Sequence, residues 1–286
     1  MQKINTTVMM SGADYFDDTY AINAHMDDQV PVDKLKALQE HAEIRECFEK
    51  AGINVVKVDA PSSSQDGVYT ANWAVINGNK AVMANLPNKR QPEEAYAEEI
   101  LRKRGFEVVK LPADIHFSGQ GDALPCGKYL FVGSDYRTSH EAHPLLAREL
   151  NLEVIGLTTI PQMDADRKAI INPVTEWPDS FFYDLDLALA VIDEQTIIWC
   201  PEAFIPESQE RIHAITDLEK IEVSLEEAMN GFACNLVSTG ESVIMSSYAP
   251  VLKSILEAKG LKIYTPDVTE LLKGGGFIRC TSLTLD

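Results

Sequence analysis

Apolar residues along this chain fall into short runs that come in pairs. Each pair is followed by a stretch of helical periodicity and then by one more short run. Residues 73–76 are apolar, Asn77-Gly78-Asn79 has the composition of a tight turn, and residues 80–86 form a second run. Residues 92–104 read as a helix that opens on Pro92 and stops at Gly105, and residues 106–111 return to a strand. The same order recurs. Its second copy has a turn at Cys126-Gly127-Lys128, a strand over 129–133, a helix ending at Leu150 with Ser139 as its cap, and a strand over 152–157. The third runs through strands 187–192 and 196–200, joined at Asp193-Glu194, then a helix over 207–215 and a strand over 220–223. In the fourth, residues 236–237 and 242–246 flank Thr239-Gly240-Glu241; a helix over 249–259 stops at Gly260, and residues 262–264 close the unit. A fifth copy forms only if the two ends of the chain are joined. Residues 277–285 then supply its first strand, 5–10 its second, 32–51 its helix and 53–58 its last strand.

A unit of this size cannot bury its own helix and sheet faces, so the copies must pack on one another. Five copies, one completed by both ends, predict a closed ring, because closure leaves no open sheet edge. Simple alternation of strand and helix would give an open parallel sheet, but it lacks the hairpin that precedes each helix here. The predicted fold is therefore α/β, a fivefold pseudosymmetric β/α propeller of five ββαβ modules. No linker interrupts residues 1–286, which read as a single domain.

In such a ring, equivalent positions face one axis. The entrances to the first strands hold Asn72, Asp122, Asp184 with Asp186, Asn235 and Cys280. Any one of these is an ordinary residue for a turn before a strand. The set of polar and reactive groups at matched places points to one central pocket. Composition narrows its ligand. With 44 Asp and Glu against 25 Lys and Arg, the formal charge is −19, which disfavours nucleic acid and anionic membrane; it favours a cationic small molecule only weakly, and acidity that serves solubility accounts for it equally well. The five cysteines have no paired spacing, so neither disulfides nor a zinc site is suggested, and a reducing cytoplasm fits. No apolar run reaches membrane-spanning length, and residues 1–10 do not read as a signal peptide. No cofactor and no metal are expected: the pair His140 and His143 has no third ligand nearby, and Gly274 to Gly276 lack the Lys-Ser/Thr of a phosphate loop. The sequence leaves room for assembly into a homo-oligomer.

Gly274-Gly275-Gly276-Phe277-Ile278-Arg279-Cys280-Thr281-Ser282-Leu283 resembles the C-terminal nucleophile segment of the guanidino-modifying superfamily of amidinotransferases, arginine deiminases and dimethylarginine hydrolases. Tyr69-Thr70-Ala71-Asn72 is similar to its aromatic-Thr-Arg-Asp segment, Phe117-Ser118-Gly119-Gln120-Gly121-Asp122 to Phe-Glu-Gly-x-Gly-Asp, and Gly133-Ser134-Asp135-Tyr136-Arg137-Thr138 to Gly-x-x-x-Arg-Thr. Tyr183-Asp184-Leu185-Asp186 lies where the superfamily carries His-Leu-Asp. The segments occur in family order over nearly the whole chain. The resemblance implies the pentein fold, in accord with the repeats. It also implies attack by Cys280 on a guanidinium carbon, a covalent amidino intermediate, and transfer of that carbon to water or a second amine. A thiolate suits this step, carboxylates grip a planar guanidinium bidentately, and the ligand's charge can stabilise the thiolate. By the same resemblance Asp122 and Asp186 bind the guanidinium, Asn72 accepts one of its hydrogen bonds, and Arg137 and Arg90 anchor a substrate carboxylate.

The chain departs from that pattern in three places. Asp184 stands for the general acid–base histidine, Ser118 for a guanidinium-binding glutamate, and Asn72 for an aspartate, a change also carried by arginine-dihydrolysing relatives. Burial of Asp184 beside Asp186 is one way to raise its pKa to a useful range. His116, two residues before Ser118, is a second candidate acid–base group, although a half-buried structural histidine is the simpler reading. The expected function is a cysteine-dependent hydrolase or amidinotransferase on a guanidino or amidino compound with altered specificity. The alternative is an inactive relative that binds a small amino acid or a protein.

Overall fold

The computed structural model describes residues 3–27, 29–173 and 175–286. Five three-stranded sheets are arranged as repeats of one plan. In each, an inner strand pairs antiparallel with a middle strand, a helix crosses over, and an outer strand returns parallel to the middle one. The inner strands are Ala74–Asn77, Ala123–Cys126, Leu189–Asp193, Val237–Ser238 and Leu283–Thr284. The crossover helices are Pro92–Lys103, Ala142–Leu150, Pro206–Ala214, Pro250–Ala258 and, in the module that joins both ends of the chain, Lys34–Lys50. In that module Val8 pairs with Thr284 and Met9 with Leu283 on one side, and the strand Thr7–Ser11 pairs with Asn54–Val58 on the other.

Neighbouring inner strands touch in the order 283–284, 74–77, 123–126, 189–193 and 237–238. The ring is closed between the last and first of these by Asn5, whose Nδ2 donates to the Ser238 carbonyl while Thr284 donates to its Oδ1. Helices bury one stripe each. Ala142, Leu146 and Leu150 are buried at four-residue spacing, as are Leu252 and Leu256, which is the period of one helix face. Trp73, Trp199, Phe117, Phe131 and Phe277 fill the space between sheets and helices, and each such side chain contributes roughly 1.5–3 kcal/mol by leaving water.

Two expectations need correction, and two further features fall outside the expectations. Residues 277–282 are a tight turn, and only Leu283–Thr284 pairs as a strand; Phe277 and Ile278 are apolar because they are buried. Ser139 does not cap a helix: the helix begins at Ala142, and Ser139 Oγ accepts instead from the His116 amide. A sixth helix, Leu225–Gly231, capped by Ser224, lies between the third and fourth modules. The connection from Leu157 to Tyr183 carries two isolated bridges, Met163 with Ala169 and Ile171 with Pro178, and is more built than a plain loop. No helix among the described residues is long and apolar enough to cross a membrane.

Candidate active site

Each inner strand is preceded by a single tight turn, and these turns meet at the axis. Thr70–Trp73, Gly119–Gly121 and Leu185–Leu187 are short 3-10 helices, Asn235 ends the turn before the fourth inner strand, and Cys280 sits in the turn before the fifth. Asn72, Ser118, Asp122, Asp184, Asp186, Asn235 and Cys280 are all buried there. Close approach depends on glycine at two points. A Cβ on Gly121 would lie 2.4 Å from Asn72 Nδ2 and 2.8 Å from Asp184 Oδ2, and one on Gly133 would lie 1.8 Å from Asp122 Oδ1.

Cys280 Sγ is 3.3 Å from Asp186 Oδ2 and 3.2 Å from Asn235 Nδ2. Asn235 is oriented by its other end, where Oδ1 accepts from the amides of Arg279 and Cys280. Burial first, and then Asp186, push the Cys280 thiol well above its ordinary pKa. Asp186 is also pushed well up, by burial and then by Asp184, and its Oδ1 has no hydrogen-bond partner among the described residues. Asp122 is raised to about 7, again by burial and then by Asp184, although its Oδ1 accepts from the Leu185 amide. Burial and the neighbouring carboxylates thus favour the protonated forms of Cys280, Asp186 and Asp122, and a nearby cation would act in the opposite direction.

Asp184 is an acceptor on both oxygens. Ser118 Oγ donates to Oδ1 at 2.9 Å, Asn72 Nδ2 donates to Oδ2 at 2.8 Å, and Arg137 Nη1 lies 3.5 Å from Oδ2. Arg137 also stacks on the Tyr183 ring at 4.0 Å and donates to the Ile22 carbonyl. Asn72 differs from the expectation that it accepts from a ligand. Its Oδ1 is taken by Arg90 Nη1 at 2.7 Å, so the NH2 group faces Ser118 and Asp184.

Arg90 has a different place from the substrate contact expected of it. It is 2% exposed, makes a two-point ion pair with Glu93, and donates to the Tyr69 carbonyl. Ser64 Oγ and Trp73 Nε1 complete the shell of Glu93. His116 packs on Trp177 at 4.7 Å and is not part of the cluster around Cys280.

Residues 14–285 match the family described as N,N dimethylarginine dimethylhydrolase, eukaryotic. The chain belongs to this family. The N(G),N(G)-dimethylarginine dimethylaminohydrolase of Mycobacterium tuberculosis is 32% identical over 95% of this chain and 83% of its own length. The bifunctional arginine dihydrolase/ornithine cyclodeaminase ArgZ of Synechocystis is also 32% identical, over 96% of this chain. This chain spans only 37% of the length of that bifunctional relative. The N-terminal domain of ArgZ, in a structure covalently bound to a reaction intermediate, matches with a TM-score of 0.86 at 28% identity, covering 98% of this chain and 97% of that one. A dimethylarginine hydrolase from Pseudomonas aeruginosa, at 18% identity and a TM-score of 0.77, shares the fold.

Within the family frame, two parts of the site went unforeseen. The Glu93–Arg90–Asn72 chain was hidden because an acid in the first turn of a helix normally sits in water, and Glu93 is fully buried. Arg279 was read only as part of a motif. Its guanidinium is buried, donates to Gln120 Oε1 and Thr284 Oγ1, and borders a cavity of about 270 Å³ that reaches Asp186 from the hairpin-turn end of the axis. Its position beside Cys280 was the available signal.

Proposed function

We propose that the chain is a cysteine-dependent C–N hydrolase that attacks the central carbon of a guanidino or amidino compound through Cys280. The observation that carries this reading is the placement of Cys280 Sγ between Asp186 Oδ2 and Asn235 Nδ2 in a buried acidic cluster on the ring axis. A planar cation entering beside Asp122 and Asp186 favours their ionised forms, which leaves Asp186 able to accept the thiol proton. Asp186 then takes the thiol proton as the S–C bond forms, and returns it to the departing nitrogen as the C–N bond breaks. Water adds to the S-amidino carbon and gives a proton to Asp186; the C–S bond breaks and Sγ is reprotonated. Asp184 has the role of a fixed charge in this scheme, since both of its oxygens already accept hydrogen bonds. A second amine in place of water gives amidino transfer by the same steps; the hydrolases among the relatives favour water.

A second reading, a binding protein without turnover, is favoured by one observation: Asp184 stands where the family carries its acid–base histidine. A panel of guanidino and amidino compounds, assayed for ammonia, amine and urea, separates the two. The expected result is product release that Cys280→Ser lowers by at least about a thousandfold. Labelling of Cys280 by an amidine electrophile with no turnover of any compound would establish the binding protein instead.

A further inference from the structure

A slot of about 10 Å³ is lined by Ile22, Tyr136, Arg137, Trp177, Asp179 and Tyr183 among others, and Arg137 links it to Asp184 in the cluster around Cys280. Arg137 is the one cation among its described lining residues and Asp179 the one acid. A ligand carboxylate would need Arg137. That guanidinium already has partners: Nη1 is ion-paired 3.5 Å from Asp184 Oδ2, Nη2 donates to the Ile22 carbonyl, and its face covers Tyr183. Its side chain is 7% exposed, so water screens the pair little.

From these contacts we infer that the site takes guanidino or amidino compounds whose tail carries no carboxylate, and that the Asp184–Arg137 pair sets this preference. The inference rests on the reading of Cys280 as the nucleophile facing a cationic carbon, and names the class of compound that reaches it. Asp184 offsets the arginine's charge as a built-in carboxylate 3.5 Å away. A second carboxylate would share one guanidinium with Asp184 and face Asp179, and a carboxylate buried without its own partner is strongly disfavoured. A neutral or cationic tail avoids that conflict and meets Trp177 and Tyr183 as apolar and cation-accepting surfaces.

The test compares matched pairs on the full chain: agmatine against L-arginine, and butylguanidine against ω-guanidinopentanoate. Affinity is read as protection of Cys280 from alkylation by chloroacetamidine, which forms an Sγ–carbon bond with loss of chloride and needs no turnover. In the parent protein the carboxylate-free member of each pair is expected to protect at a concentration lower by about tenfold or more. Asp184→Asn frees Arg137 and is expected to shrink or reverse that ratio. Equal or tighter binding of the carboxylates by the parent protein overturns the inference, even if the variant fails to fold. So does a ratio that a folded Asp184→Asn leaves unchanged. If Cys280 is alkylated and no compound of either pair protects it, the substrate class is wrong and the nucleophile stands. If Cys280 is not alkylated at all, the nucleophile reading fails, and calorimetric titration of the same pairs still decides the preference.

Discussion

Asp122 is an acid held where its charge is costly, and that fixes the direction of two measurements. Its folded pKa is about 7 against an ordinary 3.8, raised by burial and by Asp184. Between those values the native state binds a proton that the unfolded chain has released, so this group's contribution to stability is full below pH 4 and is lost as pH rises through about 7. Asp122→Asn is expected to raise the melting temperature by roughly 3 °C or more at pH 8, and to match the parent protein at pH 4. The same substitution removes a carboxylate from the cation site, so protection of Cys280 by a guanidino ligand should weaken by about tenfold or more. In the parent protein that affinity should improve as pH rises through about 7. A variant that gains stability and keeps its affinity would remove Asp122 from the site. Glu93 tests the other side of Asn72. Glu93→Gln leaves the Arg90 charge buried beside a neutral amide, and is expected to lower unfolding free energy by about 3 kcal/mol in urea titration.

The turns before the inner strands carry the candidate chemistry, and they have little room for added atoms. Gly121→Ala places a methyl group against Asn72 Nδ2 and Asp184 Oδ2. The ring should persist, with an unchanged far-ultraviolet circular dichroism spectrum, while alkylation of Cys280 ceases to be protected by guanidino ligands. Unchanged protection would show that the turn can shift at no functional cost. The same turns explain how much was legible beforehand. Strand pairs, crossover helices and their order follow from local signals such as Asn77-Gly78-Asn79 and from helical periodicity, because a repeated module must repeat its breakers. Positions at matched entrances then identified Asn72, Asp122, Asp184, Asp186, Asn235 and Cys280, which the structure brings together. The shape of the nucleophile segment was not legible, because Phe277 and Ile278 are buried equally well in a turn or a strand. Neither was the direction of Asn72, which is set by Arg90 from eighteen residues away, a contact that no local pattern encodes.

Closure of the ring is carried by a small set of bonds between distant parts of the chain. Asn5 ties Ser238 to Thr284, and Asp286 accepts from the amides of Thr6 and Thr7. Asn5→Ala removes two hydrogen bonds, each worth about 1 kcal/mol net. Amide exchange in the strand Thr7–Ser11 is therefore expected to quicken by about tenfold or more, with the helix Ala142–Leu150 unaffected. An equal rise in both places would mean that the ring opens only by global unfolding.

Biosynthesis meets the same closure as a delay. Asn5 and Thr284 are 279 positions apart, so at about 5–20 residues per second a ribosome needs roughly a quarter of a minute to a minute between them. Throughout that interval Thr7–Ser11 is a strand with one edge unsatisfied, open to mispairing with other chains and to chaperones that hold such edges. The nascent protein also lacks the Cys280 thiol during this time. Asp122, Asp184 and Asp186 are synthesised first, and the group that could be alkylated, oxidised or trapped arrives with the residues that close the ring around it.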